Sequence, residues 1–494
     1  MVEQTAMTFA SRCGQDSPSR GHAVRHVLQQ LNEQDIQQVR VAWCDLHGHL
    51  RSKTLMPGAV AAALSGGIGM VSTLALKDTA DRTAYAIFEP GAMADLPGFG
   101  MANSLMLLPD PASFHLLPWA GPTAWMQAQA FFASGAPVAL DSRHVLQAAL
   151  RRLADAGYGL TCGLEVEFHI FKIDNTDMDV AGAAWPAEPP RVNLVHPGYR
   201  LLSEDWADMA HEPMAIVQHT AQGLGLPLTS LEIEFGPSQF EAVFSATDAL
   251  TTADHMLRFR NGVRQALRRA GYLATFMCKP PFDNMVASGW HVHQSLVSLS
   301  SSANVFVHDA GVGTPGSDIS AVMSNVGEHW LAGLLDHAGA IAALSVPTVS
   351  GYSRFQGSVM APQAANWGRD NRGTSFRVLG EPGDPATRIE NRLGEPMANP
   401  YLCLAAQIHA GLDGLTRQLR APPSHASPYA KGGSNLPTSL GQALDALNAD
   451  RAFAQALAPE VLASYTHIKR GEQTRYDAAP DKQEWLRREY LGRF

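Results

Sequence analysis

One stretch constrains this chain more than any other. Gly163-Leu164-Glu165-Val166-Glu167-Phe168-His169-Ile170-Phe171 alternates apolar and polar residues strictly. On a strand, a period of two puts Glu165, Glu167 and His169 on one face and Leu164, Val166, Phe168 and Ile170 on the other. Carboxylates at alternate positions repel one another, and an apolar strand that tolerates them usually keeps a cation beside them. A wet acidic face on an edge strand is the plainer alternative.

The peculiarity recurs along the chain. Glu232 and Glu234 alternate with Leu231, Ile233 and Phe235, and Gly236-Pro237-Ser238-Gln239-Phe240-Glu241 then turns and presents another carboxylate. Gly289-Trp290-His291-Val292-His293-Gln294-Ser295-Leu296 sets two histidines on one strand face, a pattern that alone is more often structural than ligating. Arg388-Ile389-Glu390-Asn391-Arg392 follows, preceded by Arg354, Arg369, Arg372 and Arg377. A solvated basic helix is the competing reading of those arginines, but Gly, Pro and Asn fill the region instead of helical periodicity. Glu165, Glu167, Glu234, Glu241, His291 and Glu390 form a donor set suited to two or more hard divalent cations. Clustered arginines beside such cations suit a polyphosphate and a carboxylate. The combination points to phosphoryl transfer from a metal-bound nucleotide. No GxxxxGK[ST] or GxGxxG loop is present, so the site is neither P-loop nor Rossmann.

The rest of the sequence sets the frame. A chain of 494 residues predicts one large domain and a smaller one. A net charge of −9 argues against general nucleic-acid binding. The first 20 residues hold Glu3, Arg12 and Asp16 without an apolar core, so no signal peptide is expected, and no long apolar run suggests a membrane span. The 5 cysteines are scattered without CxxC spacing, which fits a reduced cytoplasm better than disulfides or structural zinc. The predicted division is a polar leader over 1–22, a small β-rich domain over 23–130 and a larger domain over 131–494. Val39 to Asp45, the turn His47-Gly48 and Leu50 to Leu55 read as a hairpin. Asp141-Ser142 caps a helix with Val145, Leu146, Ala149, Leu150 and Leu153 on one face, stopped by Gly157. Strands are expected near 160–171, 231–235, 272–278 and 289–296, and helices near 250–270 and 318–344. Residues 173–200 and 298–317 read as surface loops or lids. The class is α+β.

The motifs together resemble the glutamine synthetase family, in that family's order. They are E-x-E at Glu165/Glu167, E-x-G-P-x-Q-x-E at Glu234/Glu241, H-x-H-x-S at His291/His293/Ser295, Asn371-Arg372, R-x-E-x-R at Arg388/Glu390/Arg392, and Asn399-Pro400-Tyr401. The match runs from about residue 25 onward. The resemblance implies a small N-terminal β-grasp domain and a catalytic domain built on a curved antiparallel sheet backed by helices. It further implies homo-oligomeric rings, a dodecamer of two hexamers with sites shared between subunits. It assigns Glu167, Glu234 and Glu241 to the metal near glutamate, and Glu165, His291 and Glu390 to the metal bridging the phosphates of ATP. Two or three Mg2+ or Mn2+ ions per site are expected. His293, Ser295, Arg372, Arg377 and Arg388 would contact the nucleotide phosphates or the transferring phosphoryl group. Arg354 would clamp the α-carboxylate of glutamate, Arg392 the reacting group, and the backbone at Ala287 and Gly289 would line the glutamate site.

Departures from the family pattern concern the amine. Ammonia-using members carry a flap acid shortly after the carboxylate-binding arginine, and that position holds Met360. A second acid is expected near Lys77-Asp78, where the usual Asp-Gly-Ser surroundings are missing. The family's Asn-Gly-Ser-Gly-Met-His run reads Val286-Ala287-Ser288-Gly289-Trp290-His291. Apolar and aromatic surface thus replaces charge, which suits a flat, neutral amine and deprives ammonium of its partner. Packing of Met360 or Trp290 at an interface or hinge is the alternative. The chain is also similar to the γ-glutamylanilide synthases, through the Ser-Gly-Trp-His segment and Gly368-Arg369-Asp370-Asn371-Arg372-Gly373. Polyamine, ethanolamine or ammonia as the amine, and a non-catalytic relative, are the competing readings.

Overall fold

The structure, a computed structural model, describes residues 7–174, 180–308, 319, 322–356, 360–427 and 434–494. The first sheet contains β1 (Gln38–Cys44), β2 (Leu50–Leu55), β3 (Ile68–Val71), β4 (Ser104–Pro109), β5 (His115–Leu116) and β6 (Thr123–Phe131), in the order β2-β1-β6-β4-β3 with β5 on β6. The expected hairpin forms β1 and β2, with Val39 opposite Leu55 and Cys44 opposite Leu50. Its turn is fixed by Asp45, whose carboxylate accepts from the backbone N–H of His47 (3.0 Å) and His49 (2.9 Å), and by Gly48 at φ +79°.

The stretch expected to be a leader is packed from Phe9 onward. Phe9–Arg12 is a helical turn, and Pro18–Glu33 is a helix capped by Ser17 that runs through the expected boundary at residue 22. Phe9 and Ala10 are buried, with the Phe9 ring edge-on to Phe131 at 6.4 Å. The segment is polar overall, yet two apolar residues suffice to seat it against β6.

The second sheet contains β7 (Tyr158–Ile173), β8 (Val192–Leu194), β9 (Leu228–Ile233), β10 (Gln239–Asp248), β11 (Tyr272–Thr275) and β12 (Trp290–Ser298). After β13 (Ala364–Ala365) come β14 (Trp367–Arg369), β15 (Phe376–Leu379) and β16 (Arg388–Asn391); β17 (Ser434–Asn435) pairs with β13 in a separate two-stranded sheet. The main order is β14-β15-β16-β12-β7-β10-β9, with β8 and β11 also on β7. Every pairing in this sheet is antiparallel except β14 with β15. The arginine-rich region, which lacked helical periodicity, supplies β14, β15 and β16.

Helices cover the apolar face. Ser142–Asp155 buries Val145, Leu146, Ala149 and Leu153, with Leu150 only half-buried, and Ala249–Arg269 buries Ala253, Met256, Leu257, Val263 and Leu267. Leu164, Val166, Phe168 and Ile170 of β7 are each 0–2% exposed against them, and Phe168 stacks on Phe276 at 5.1 Å. The single helix expected over 318–344 is instead two, Asn325–Asp336 and Ala338–Ser345, broken at His337. Two carboxylates hold the His337 ring at that break, Asp450 on Nδ1 at 2.6 Å and Asp413 on Nε2 at 2.8 Å. Of the expected loop regions, residues 175–179 and 309–317 lie outside the described residues.

Two buried polar residues join the sheets. Asp141 caps its helix through the N–H groups of Arg143 (3.0 Å) and His144 (3.3 Å), and its other oxygen accepts from Trp43 Nε1 (2.9 Å) and Ala130 N (2.7 Å). Asn399 caps the helix Pro400–Arg417 and donates Nδ2 to the carbonyls of Asp45 (3.0 Å) and Leu46 (3.3 Å). Each satisfies helix-end N–H groups that would otherwise be orphaned, and each ties its helix to β1 or the turn that follows it.

Candidate active site

Strand register brings the sequence motifs together. On the face opposite the helices, His291 of β12 stands opposite Glu165 of β7, and Glu241 of β10 stands opposite Glu167 of β7. His293 faces Glu390 of β16, which faces Arg377 of β15. Because side chains alternate, every second residue of each strand reaches this one face. His293 Nε2 lies 2.9 Å from Glu165 Oε1; His291 Nδ1 lies 3.4 Å from Glu165 Oε2 and 3.6 Å from Glu390 Oε1. His291 Nε2 is 3.6 Å from Glu167 Oε1. Ser295 continues the face two residues beyond His293 and is half-buried.

Three donor sets result, each with ligand atoms within 4.8 Å: Glu165, His293 and Glu390; Glu165, Glu241 and His291; and Glu167, Glu234 and Glu241. Their electrostatics call for cations. Burial, then the carboxylates of Glu167, Glu165, Glu234 and Glu232, push the Glu241 carboxyl up to about 9. Burial and Glu234 raise Glu167 to about 7. Burial, reinforced by Arg392, holds His291 down at about 4, so the ring is neutral near neutral pH and offers one nitrogen lone pair. An all-oxygen and imidazole donor set with excess negative charge fits divalent ions of the Mg2+ or Mn2+ type. A fourth set, Asp336, His337 and Asp413, has similar spacing, but there Arg417 Nη1 already reaches Asp336 (2.8 Å) and Asp413 (2.7 Å).

Arginines frame the acids. Glu390 is fully buried, with Arg377 Nη1 on one oxygen at 3.0 Å and Arg392 Nη1 on the other at 2.5 Å. Arg377 also donates Nε to Asp370 at 3.0 Å. Arg388 donates Nε to His293 Nδ1 at 3.0 Å, leaving Nε2 for Glu165. Arg354 is 5% exposed; its Nη1 donates to the carbonyls of Arg392 (3.0 Å), Leu393 (3.3 Å) and Gly394 (3.3 Å), and its Nη2 approaches His291. Arg372 is exposed and makes no hydrogen bond or ion pair among the described residues, although its charge acts on Asp370. Gly289 donates its N–H to Glu167 at 2.9 Å, and a Cβ there would sit 2.6 Å from Arg354 Nη2 and 2.9 Å from His291 Nε2. Only glycine lets the backbone pass so close. Ala287 is half-buried, and its carbonyl accepts from Gln239 Nε2 at 3.3 Å.

The amine-pocket residues divide. Met360 sits at φ +61°, is 47% exposed, and its carbonyl accepts from Arg392 Nη2 at 3.4 Å, so it borders the centre. The preceding residues 357–359 lie outside the described residues. Trp290 is not a wall of this pocket: it is fully buried in the core cluster and registers with Val166. The alternation that aims His291 at the carboxylates aims its neighbour the other way. Lys77 and Asp78 are not brought to the centre by their own chain. Asp78 is ion-paired with Arg475 at 2.9 Å, and Lys77 Nζ donates to Thr83 at 3.1 Å.

Sequence reasoning passed over three supporting residues. Gln239 donates to Glu167 (3.2 Å) and Ser288 (3.0 Å), holding that carboxylate and the glycine segment in place. Asp370 steadies Arg377. Phe235, next to Glu234, is 43% exposed and meets the ring of Tyr199 edge-on at 5.5 Å. An aromatic directly after Glu234 was the available signal.

Comparison with known proteins places the chain in a family. The family model for the glutamine synthetase catalytic domain matches residues 139–488. The gamma-glutamylanilide synthase of Acinetobacter sp is 35% identical over 462 residues, covering 92% of this chain and 91% of that protein. The gamma-glutamylethanolamide synthetase GlnA4 of Streptomyces coelicolor is 30% identical over 406 residues, covering 80% and 82%. Among solved structures, ligand-free GmaS superposes with a TM-score of 0.75 at 27% identity, covering 94% of this chain and 98% of that one. The mixed fold of a curved sheet backed by helices is shared with that structure. It belongs to the glutamine synthetase family and is an ATP-dependent carbon–nitrogen ligase of the kind that forms γ-glutamyl amides.

Proposed function

We propose that the chain joins the γ-carboxyl of glutamate to an organic amine, an aromatic amine such as aniline fitting best. The observation that carries this reading is Met360 at the border of the centre, beside Arg392, where an ammonia-using enzyme needs an acid. Ammonium and alkylamines are protonated near neutral pH and need a base before they attack. An arylamine is already neutral and nucleophilic, so an apolar flap costs it little. The exposed Phe235–Tyr199 pair offers the flat surface that buried Trp290 does not. The similarity to an anilide synthase supports the same choice. Ethanolamine is the second reading, favoured by the Streptomyces relative.

The residues divide the work as follows. Glu165, Glu167, Glu234, Glu241, His291 and Glu390 hold two or three divalent cations, which supply the charge that neutralises phosphate and carboxylate oxygens. His293, Ser295, Arg377 and Arg388 receive the ATP phosphates. Arg354, together with the backbone at Ala287 and Gly289, holds glutamate, and Arg392 steadies its reacting carboxylate. Exposed Arg372 meets the phosphoryl group as it moves onto the γ-carboxylate, where charge develops. The resulting γ-glutamyl phosphate is an acyl donor, and the amine displaces phosphate from it. Lys77 and Asp78 reach an active site only if a neighbouring subunit presents them, which a dodecamer of two hexameric rings would do.

The test is phosphate release from ATP with glutamate fixed and aniline, ethanolamine, putrescine and ammonium varied. Aniline should stimulate release most, and Met360→Glu should gain ammonium use at its expense. Stimulation by ammonium alone would overturn the amine assignment.

A further inference from the structure

Away from the reaction centre, the end of the helix Ala249–Arg269, the start of β11, the Pro189-Pro190 segment and residues 488–493 enclose a cleft of about 580 Å3. That volume lies within the range of small-molecule sites. Arg40, Arg264, Arg268, Arg269, Arg488 and Arg493 line it, and Glu188 is its one acidic lining residue. Glu188 is already engaged by Arg487 and, at 2.5 Å, by Arg488. Among the described residues the other five arginines have no ion-pair partner. Arg40 donates to Gln265 (3.0 Å), Arg264 to the Gly492 carbonyl (3.1 Å) and Arg493 to the Thr79 carbonyl (3.1 Å).

A chain of net charge −9 does not concentrate arginine here through a basic composition. The negative end of the helix dipole accounts for Arg268 and Arg269 in its last turn, but not for Arg40 on β1, Arg264 or Arg493. Burial, together with Arg260, holds half-buried Arg264 down at about 10, as expected of a guanidinium without a counter-charge. Gathered positive charges around one cavity repel one another, and an entering anion relieves that cost. The planar guanidinium fork matches phosphate oxygens two at a time. Pro189, Pro190, Leu273 and Ala274 add an apolar wall.

We propose that this cleft is a second binding site, separate from the reaction centre, for a small polyphosphate-bearing molecule. The assembled protein is titrated calorimetrically with ADP and with inorganic tripolyphosphate, in chelator so that the reaction centre lacks its cations. Wild type and Arg268→Glu/Arg269→Glu are compared; both substituted residues are exposed and outside the catalytic machinery, so amide formation serves as the folding control. Wild type should bind both probes with an affinity that falls steeply with salt, and the double variant at least about tenfold more weakly. Tighter binding of ADP would identify an organic polyphosphate, and equal binding the phosphates alone. Two results overturn the proposal. They are no binding to wild type at millimolar probe, or equal binding to the variant.

Discussion

Glu241 and Glu167 stand directly opposite one another across β10 and β7, a registered pair of carboxylates in a half-buried site. Without a cation the pair opposes folding, and burial with neighbouring carboxylates pushes Glu241 up to about 9. Glu241→Gln should therefore stabilise the metal-free protein by about 1 kcal/mol. The same variant should lose most of the rise in melting temperature that Mg2+ or Mn2+ gives wild type. Thermal melts with and without chelator check both halves, and a variant that keeps the full metal response would remove Glu241 from the ligand set.

Arg372 makes no hydrogen bond or ion pair among the described residues, so Arg372→Ala should change stability by less than about 0.5 kcal/mol. If it stabilises charge on the moving phosphoryl group, turnover should fall roughly 100- to 1,000-fold while nucleotide binding persists. Steady-state kinetics beside a nucleotide-binding titration separates the two. Unchanged turnover would refute the role.

The break at His337 sets a pH dependence. Burial alone would lower the imidazole, but hydrogen bonds to Asp450 and Asp413 prevail and raise it above its ordinary 6.5. A base raised in the folded state contributes stability that is full below the unfolded value and lost as pH rises through the folded one. Asp450 is correspondingly lowered, so its share is present above the usual carboxylate range and lost in acid. His337→Gln should cost about 2 kcal/mol at pH 6 and distinctly less at pH 9. Denaturant melts at the two pH values measure the difference, and a pH-independent cost would show that the ring acts only by packing.

The centre was legible in the sequence because strand alternation is a short-range rule. Glu165, Glu167, His291, His293, Glu390 and Arg377 all reach one face through it, and register alone brings them together. What escaped was which face meets solvent. Both faces of β12 are buried, so the neighbouring positions of Trp290 and His291 suggested a shared pocket, whereas the same alternation separates them. The ion pair of Asp78 was hidden for another reason: its partner, Arg475, lies near the other end of the chain, and no local pattern announces such a pairing. The break at His337 likewise depends on Asp413 and Asp450, which approach only in the folded chain.

Residues from β7, β10, β12 and β16 should together form one divalent-cation centre. Equilibrium titration with Mn2+, followed by electron paramagnetic resonance of the free ion, measures this. At least two ions should bind per subunit, with sites lost in Glu241→Gln and in Glu390→Gln. Absence of saturable binding, or full ligase activity in chelator, would contradict it.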